Sequence, residues 1–322
     1  MKITFNTSNP TAPCTEFYTS AFKGIEEITF YDQNYSLYDI ALFMTYDYEK
    51  IKYIKESFPH LKIGIIDPRS NKVYDSTQYC DFIIVDSIEM EDYWRISKRP
   101  IFRYVEYPNI PYIKKEHKEK DKIIIGYHGN QIHLECMTQN VTPALTVLGK
   151  KYNIELLIMH NSSPPTGNEK WYPKNISVRH VPWSMNNYVQ ELARSDIGIV
   201  PNNLIHDIST KKMLKTHSAF NCNDDDYSLR FKMPSNPGRI IVFGKLGIPT
   251  VADFYPSALE LSYSRALYVA HSLSGWIHSL EKLIISSNLR QQMGDLLQLL
   301  VRSEFDFELQ NKKLISSLKL IL

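Results

Sequence analysis

Along the chain, short apolar runs of strand length alternate with helix-length segments, and that alternation restricts the fold more than any other feature. The pattern predicts strands at Ile3–Phe5, Ile40–Met44, Lys62–Ile66, Phe82–Val85 and Ile101–Tyr104. Helical segments fall between them, for example over Tyr48–Ser57 and Ile88–Ile96. Strands separated by helices in this way belong to an α/β fold, with a parallel sheet and crossover helices.

The pattern breaks around Pro108–Lys122, where two prolines lead into Lys-Lys-Glu-His-Lys-Glu-Lys-Asp-Lys, a mixed charge run without apolar period. It reads as an interdomain linker over 111–121 or as a solvated helix end. A second series then begins, with strands predicted at Ile123–Tyr127, Ile154–Met159, Ile176–His180, Ile197–Val200, Thr250–Ala252 and Ala266–Val269. Helices are predicted at Val141–Lys150, Asn186–Ala193, Gly238–Leu246, Leu273–Ser286 and Asn288–Glu304, with a terminal helix from Phe305 to Leu322. The expected organisation is a Rossmann-like domain over 1–110, the linker, a second Rossmann-like domain over 122–304, and a C-terminal helix over 305–322 packing back toward the first. Tandem doubly wound units place ligands at the carboxyl ends of their strands. No repeat with a period of 20–50 residues is visible.

A chain of 322 residues can bury two full cores, and 43% hydrophobic with 22% charged residues is ordinary for a globular protein. A net charge of +2 argues against a dedicated nucleic-acid binder. Cys14, Cys80, Cys136 and Cys222 form no Cys-x-x-Cys pair, which fits a reducing compartment and no zinc ribbon. The chain opens on a strand and holds no run of 18 apolar residues, so a cytoplasmic location is expected. The Lys114–Lys122 run leaves open a peripheral contact with the inner face of a membrane.

The stretch from Arg230 to Ala252 carries the most chemistry. It places Arg230, Lys232, Ser235, Asn236 and Arg239 around Pro237-Gly238, ahead of an apolar helix, a Gly-Ile-Pro turn and a short strand. Cations beside the unbonded N–H groups of a helix start form an anion site, suited to a phosphate or diphosphate. A surface loop with ordinary basic residues is the alternative reading.

The same residues carry a resemblance. Lys-x-x-x-Asn-x-x-Arg, an apolar helix and Gly-Ile-Pro-Thr-Val-Ala resemble the donor-binding helix of GT-B-fold glycosyltransferases, especially the family 4-like group. Ile124-Ile-Gly-Tyr-His-Gly-Asn130 resembles the strand and glycine loop that open its donor domain. Val181-Pro-Trp183 and Leu192–Pro201 resemble its two intermediate strand ends, so the likeness covers roughly 121–260. The resemblance implies two Rossmann-like domains facing a cleft. The implied activity is transfer of a sugar from a nucleotide-diphospho-sugar to a glycan or lipid-linked glycan, with no metal and no cofactor beyond that co-substrate. Arg230 and Lys232 would neutralise the leaving diphosphate; Gly129, Asn130, Trp183, Ser235, Asn236, Gly238 and Arg239 would hold the donor. Trp183 also reads as a core ring, and Gly126 and Gly129 as plain turn residues.

One departure concerns the carboxylates. Many retaining members carry a Glu-x7-Glu pair, and here Pro234 and Val242 occupy those positions. An inverting mechanism would need a general base from the first domain. Asp67 and Asp86, each directly after an apolar strand, are the candidates, and both also read as cap or turn residues. His128 and His133 lack the spacing and number of a metal set. Asp224-Asp-Asp226 and Lys211, Lys212 and Lys215 read as solvated. Two rival functions fit the same residues: a nucleotide-sugar 2-epimerase of the same fold, and a non-catalytic glycan- or nucleotide-binding protein.

Overall fold

A computed structural model describes residues 1–45, 48–68, 76–202 and 236–322. The described residues form two compact units, one of residues 1–109, 236 and 305–322, the other of residues 110–202 and 237–304.

The first unit holds a six-stranded, all-parallel sheet in the order β2-β1-β3-β4-β5-β6. Its strands are β1 (Ile3–Thr7), β2 (Ile28–Phe30), β3 (Ile40–Met44), β4 (Lys62–Ile66), β5 (Phe82–Val85) and β6 (Ile101–Arg103). Helices α1 (Pro13–Phe22), α2 (Tyr48–Ser57) and α3 (Ile88–Trp94) join them. The central strands β3 and β5 are buried along their whole length, as continuous apolar runs in a two-faced parallel sheet must be. Ser87 caps α3 by accepting from Met90 N.

The second unit repeats the architecture with the order β12-β11-β10-β7-β8-β9, again all parallel. Its strands are β7 (Ile123–His128), β8 (Ile154–His160), β9 (Ser177–Pro182), β10 (Ile197–Val200), β11 (Thr250–Asp253) and β12 (Leu267–Ala270). Its helices are α4 (Ile132–Glu135), α5 (Val141–Leu148), α6 (Tyr188–Leu192), α7 (Gly238–Lys245), α8 (Pro256–Ser262), α9 (Leu273–Ile285) and α10 (Ser287–Glu304). Strand order reverses at β7/β10, the point where doubly wound sheets open a crevice beyond their carboxyl ends.

Residues 111–121, read as a linker, count with the second unit and are strapped onto it. His117 N–H donates to Gln291 Oε1 at 2.9 Å, and the His117 ring lies 2.9 Å from Gly247 O. Arg290, with no exposed surface, donates to the carbonyls of Leu283 and Ile284 at the end of α9 and to Lys118 O. Tyr112 sits between Lys245 and Arg302, each cation 4.6 Å from the ring centre. The charge run is therefore largely engaged: Lys115 donates to Ala193 O, Lys120 pairs with the buried Asp196, and Lys122 pairs with Glu155.

The last helix, α11 (Phe307–Lys319), belongs to the first unit. Leu314 and Leu318 join the core formed by Tyr18, Phe22 and Tyr104. Asn311 donates to Ala21 O at 3.0 Å and accepts from Tyr104 Oη at 2.8 Å. Gln310 exchanges two bonds with the Val105 backbone, and Tyr107 stacks on Phe307 at 4.2 Å.

Candidate functional site

Helix α7 is the element on which the sequence argument rests. All 8 of its residues are buried, which explains the apolar run Ile240-Ile-Val-Phe243 at its centre. Its first intrahelical bond is Ile241 N–H to Pro237 O at 3.0 Å, so the N–H groups of Gly238, Arg239 and Ile240 precede the ladder. Pro237 takes the N-cap position with φ of −74°, matching the opening read from Pro-Gly. Val242, where the resemblance expects a carboxylate, is fully buried and apolar in this helix.

Arg239 lies in the first turn of α7 and is only 8% exposed. Its Nη1 donates to Pro201 O at 3.3 Å and its Nη2 to Asn202 Oδ1 at 3.2 Å, while Nε has no partner among the described residues. Both acceptors are neutral and follow β10. Among the described residues no carboxylate pairs with this cation. A buried charge left unpaired costs several kcal/mol, on the order of the desolvation of one ion, so a site that keeps one is suited to an anion.

The loop after β7 is built against the same side chain. Gly129 has φ of 140°, and a Cβ there would lie 3.1 Å from Arg239 Cδ and 3.2 Å from Tyr127 Oη. Tyr127 is fully buried and donates to Asn130 O at 2.6 Å, fixing the turn, and Asn130 itself is exposed. His128, at the end of β7, is 7% exposed; its Nε2 lies 3.3 Å from Arg239 O and its ring meets Phe243 edge-on at 5.0 Å. Burial, then the Arg239 cation, pushes the His128 imidazole down to about 3, so it is neutral at any physiological pH. Asp253, closing β11, completes the cluster: it accepts Asn202 N–H at 2.5 Å and Trp276 Nε1–H at 2.9 Å.

Gly129, Gly238, Arg239 and Asn202 therefore converge on the carboxyl side of β7 and β10, whereas Gly126 stands apart from them. Gly126 lies within β7, where a Cβ would stand 2.1 Å from Ser195 Oγ, so it serves sheet packing and not ligand approach. Trp183 extends the β8–β9 ladder by donating its N–H to His160 O at 3.0 Å, and its ring lies 5.6 Å from Tyr188. Ser184 N–H and Pro182 O are both bonded to Asn187, so the backbone around Trp183 spends these groups internally.

Asn236 and Asp86 are brought together in the first unit, where Asn236 Nδ2 donates to Asp86 Oδ2 at 2.8 Å. Asp86 has no exposed surface, and Asn236 is half-buried. Asp67 holds φ of 49°, and its N–H bonds Ile84 O, which makes it a turn residue at the end of β4. Arg230, Lys232 and Ser235 lie outside the described residues, as do the acidic run 224–226 and Lys211, Lys212 and Lys215. Among the described residues, no group of three or more His, Cys, Asp or Glu side chains is placed to hold a metal ion. Asp253 is a site residue that motif reading did not select. Its signal is positional, since it is a polar residue at the end of a buried apolar strand; Asn202 belongs to the Pro201-Asn202-Asn203 strand end, which the resemblance sets at the border of the donor pocket.

No protein-family model matches the chain, and no curated protein matches it. Solved structures do. Anabaena HepE in complex with UDP aligns over 99% of this chain and 100% of its own, with TM-score 0.63 and 10% identity. The trehalose-6-phosphate synthase OtsA aligns over the full length of both, with TM-score 0.60 and 11% identity. Staphylococcus aureus TarM, in complex with fondaparinux, α-GlcNAc-glycerol and UDP, aligns over 86% of this chain and 55% of its own, with TM-score 0.53 and 9% identity. The fold, two Rossmann-like units each built on a six-stranded parallel sheet, is that of the GT-B glycosyltransferases.

Proposed function

We propose that this chain transfers a sugar, a hexose in the reading preferred here, from a nucleotide-diphospho-sugar to a glycan or other acceptor. The observation that carries the reading is Arg239: a buried cation whose partners among the described residues are neutral, in the first turn of a helix, at the strand-order reversal of the second unit. A diphosphate supplies the missing negative charge and accepts from first-turn N–H groups. The GT-B likeness, and the UDP held by HepE and TarM, point in the same direction.

In this mechanism the leaving group gains negative charge as the glycosidic bond breaks, and preorganised cations stabilise that charge. Arg239 is assigned to the diphosphate together with Gly238 and the Gly129–Asn130 turn; Arg230, Lys232 and Ser235 are assigned by resemblance. No divalent metal and no further cofactor is required, because cations and a helix start do the neutralising. A general-base role for Asp86 requires its carboxylate to exchange Asn236 for an acceptor hydroxyl. Trp183 is assigned to the edge of the nucleobase by resemblance. The location assigned is cytoplasmic; among the described residues no helix is long and apolar enough to cross a membrane. Peripheral attachment and a lipid-linked acceptor rest on the 114–122 run, in which Lys118 pairs with Glu116 of the same run while Lys120 and Lys122 pair with other elements.

Incubation with a panel of nucleotide sugars and candidate acceptors tests the reading. Release of nucleoside diphosphate, unaffected by chelator, is expected. An epimerised donor would replace transfer by 2-epimerisation, and tight binding without any product would make the chain a binding protein.

A further inference from the structure

The polar groups at the carboxyl ends of β10 and β11 form a hydrogen-bonded chain. Trp276 Nε1 donates to Asp253 Oδ1 at 2.9 Å, and Asp253 Oδ2 accepts from Asn202 N–H at 2.5 Å. The Asn202 side-chain oxygen then accepts from Arg239 Nη2 at 3.2 Å. Asp253 and Asn202 are each 2% exposed and Arg239 is 8% exposed. A carboxylate and a guanidinium this deeply buried would stabilise each other by direct contact. The protein instead places a neutral amide between them.

Two further details point the same way. Both guanidinium bonds, at 3.2 and 3.3 Å, are longer than the roughly 2.7–2.9 Å of charge-assisted pairs. Arg239 Nε and Asn202 Nδ2 are buried without partners among the described residues, so the cluster is incomplete as a self-contained network there. The Arg239 charge is also felt nearby, since it helps to hold the His128 imidazole in its neutral form.

We propose that Asn202, anchored by Asp253, is a spacer that positions the Arg239 guanidinium while keeping its charge available to an incoming phosphate. The inference rests on the donor-site reading above and deepens it, by assigning positioning roles to two residues that do not touch the donor's reacting atoms. Asp253 fixes the Asn202 backbone; the Asn202 amide then orients the guanidinium without neutralising it. A direct carboxylate contact would make a more stable and less useful site, because the cation would already be paired before the ligand arrived.

The test is calorimetric titration of UDP, GDP, ADP, CDP and dTDP into the wild-type chain. The tightest of these and its own nucleoside are then titrated into Asn202→Asp. That substitution keeps the shape of the spacer and puts a carboxylate on Arg239. The expected result is a loss of diphosphate affinity of about tenfold to a hundredfold, the size of one bond to a charged group. Nucleoside affinity and thermal stability should be unchanged, or stability raised. A purely structural role would move nucleoside binding and stability downward together. Diphosphate affinity within about twofold of wild type overturns the spacer while leaving the donor site standing. Failure of the wild-type chain to bind any nucleoside diphosphate overturns the donor-site reading and the spacer with it. If Asn202→Asp does not fold, Asp253→Asn decides. Loss of the anchor should lower diphosphate affinity at least threefold despite a more positive site, and an unchanged or raised affinity refutes the proposal.

Discussion

Replacing Gly129 with alanine tests whether the loop after β7 is shaped around the Arg239 side chain. The backbone there holds φ of 140°, a conformation that L side chains rarely adopt. The added Cβ would lie 3.2 Å from Tyr127 Oη and 3.1 Å from Arg239 Cδ. Tyr127 has no exposed surface and its hydroxyl holds the Asn130 carbonyl, so the flexible arginine is the group that yields. A residue forced into a sparsely populated region costs about 1–3 kcal/mol. For a unit of this size each kcal/mol lowers Tm by about 2–4 °C, so a fall of about 2–12 °C is expected by calorimetry. Displacing the guanidinium should also weaken nucleoside diphosphate binding by on the order of tenfold, one charged-group contact. Gly126→Ala is the control. Its Cβ would meet Ser195 Oγ at 2.1 Å, so it should destabilise by overpacking, about 1–3 kcal/mol, without touching Arg239. The reasoning is refuted if Gly129→Ala keeps both wild-type Tm and affinity, or if Gly126→Ala weakens binding as much.

Three further outcomes are expected. His128 sits near 3 in the fold and near 6.5 when unfolded, so the unfolded chain binds more protons between those values. Its contribution is complete above about pH 6.5 and is lost as pH falls toward 3, at up to about 1.4 kcal/mol per pH unit; His128→Gln should flatten that slope in urea melts. Burial raises the Cys80 and Cys136 thiols to about 12, so neither should react with a thiol reagent at pH 8 until the chain unfolds, whereas half-buried Cys14 should label before either by mass spectrometry. Leu318→Ala removes a fully buried side chain from the core shared by α11 and the first sheet, and should cost about 2–5 kcal/mol in chemical denaturation.

The fold was legible where burial is two-sided. Ile40–Met44, Lys62–Ile66, Phe82–Val85 and Ile197–Val200 end where their apolar runs end, because central parallel strands expose no face to break the run. Strand β2 was missed: it has three residues, and of these only Ile28 is buried. Strand β9 starts one residue later than read and runs two residues further, since it has only β8 for a neighbour and alternates little in burial. Helix α8 went unread because it is one short turn pair opening on a proline. The charge run 111–121 carries no apolar period, and its strap is made by Gln291, Gln298 and Arg290, far away in sequence.

The candidate site was legible in part for the same reason. The helix start at Pro237-Gly238 is a local signal, and Arg239 was visible as one of several basic residues. What sets Arg239 apart is its burial and the neutral acceptors after β10, which depend on β10 and β11 lying side by side. Asp253 reaches Asn202 across 51 residues, and such a bond leaves no spacing pattern to read. Gly126 reads as part of a glycine loop because it precedes a second glycine by three positions, yet Ser195 is what requires it.

The central claim is that the start of α7, at the β7/β10 reversal, holds a diphosphate. A crystal structure of the chain with its tightest-binding nucleoside diphosphate tests this most directly. The account predicts phosphate oxygens within hydrogen-bond distance, about 2.7–3.2 Å, of the Arg239 guanidinium and of first-turn N–H groups of α7, beside the Gly129 turn. A nucleotide seated elsewhere, with Arg239 still bonded only to Pro201 and Asn202, would contradict it.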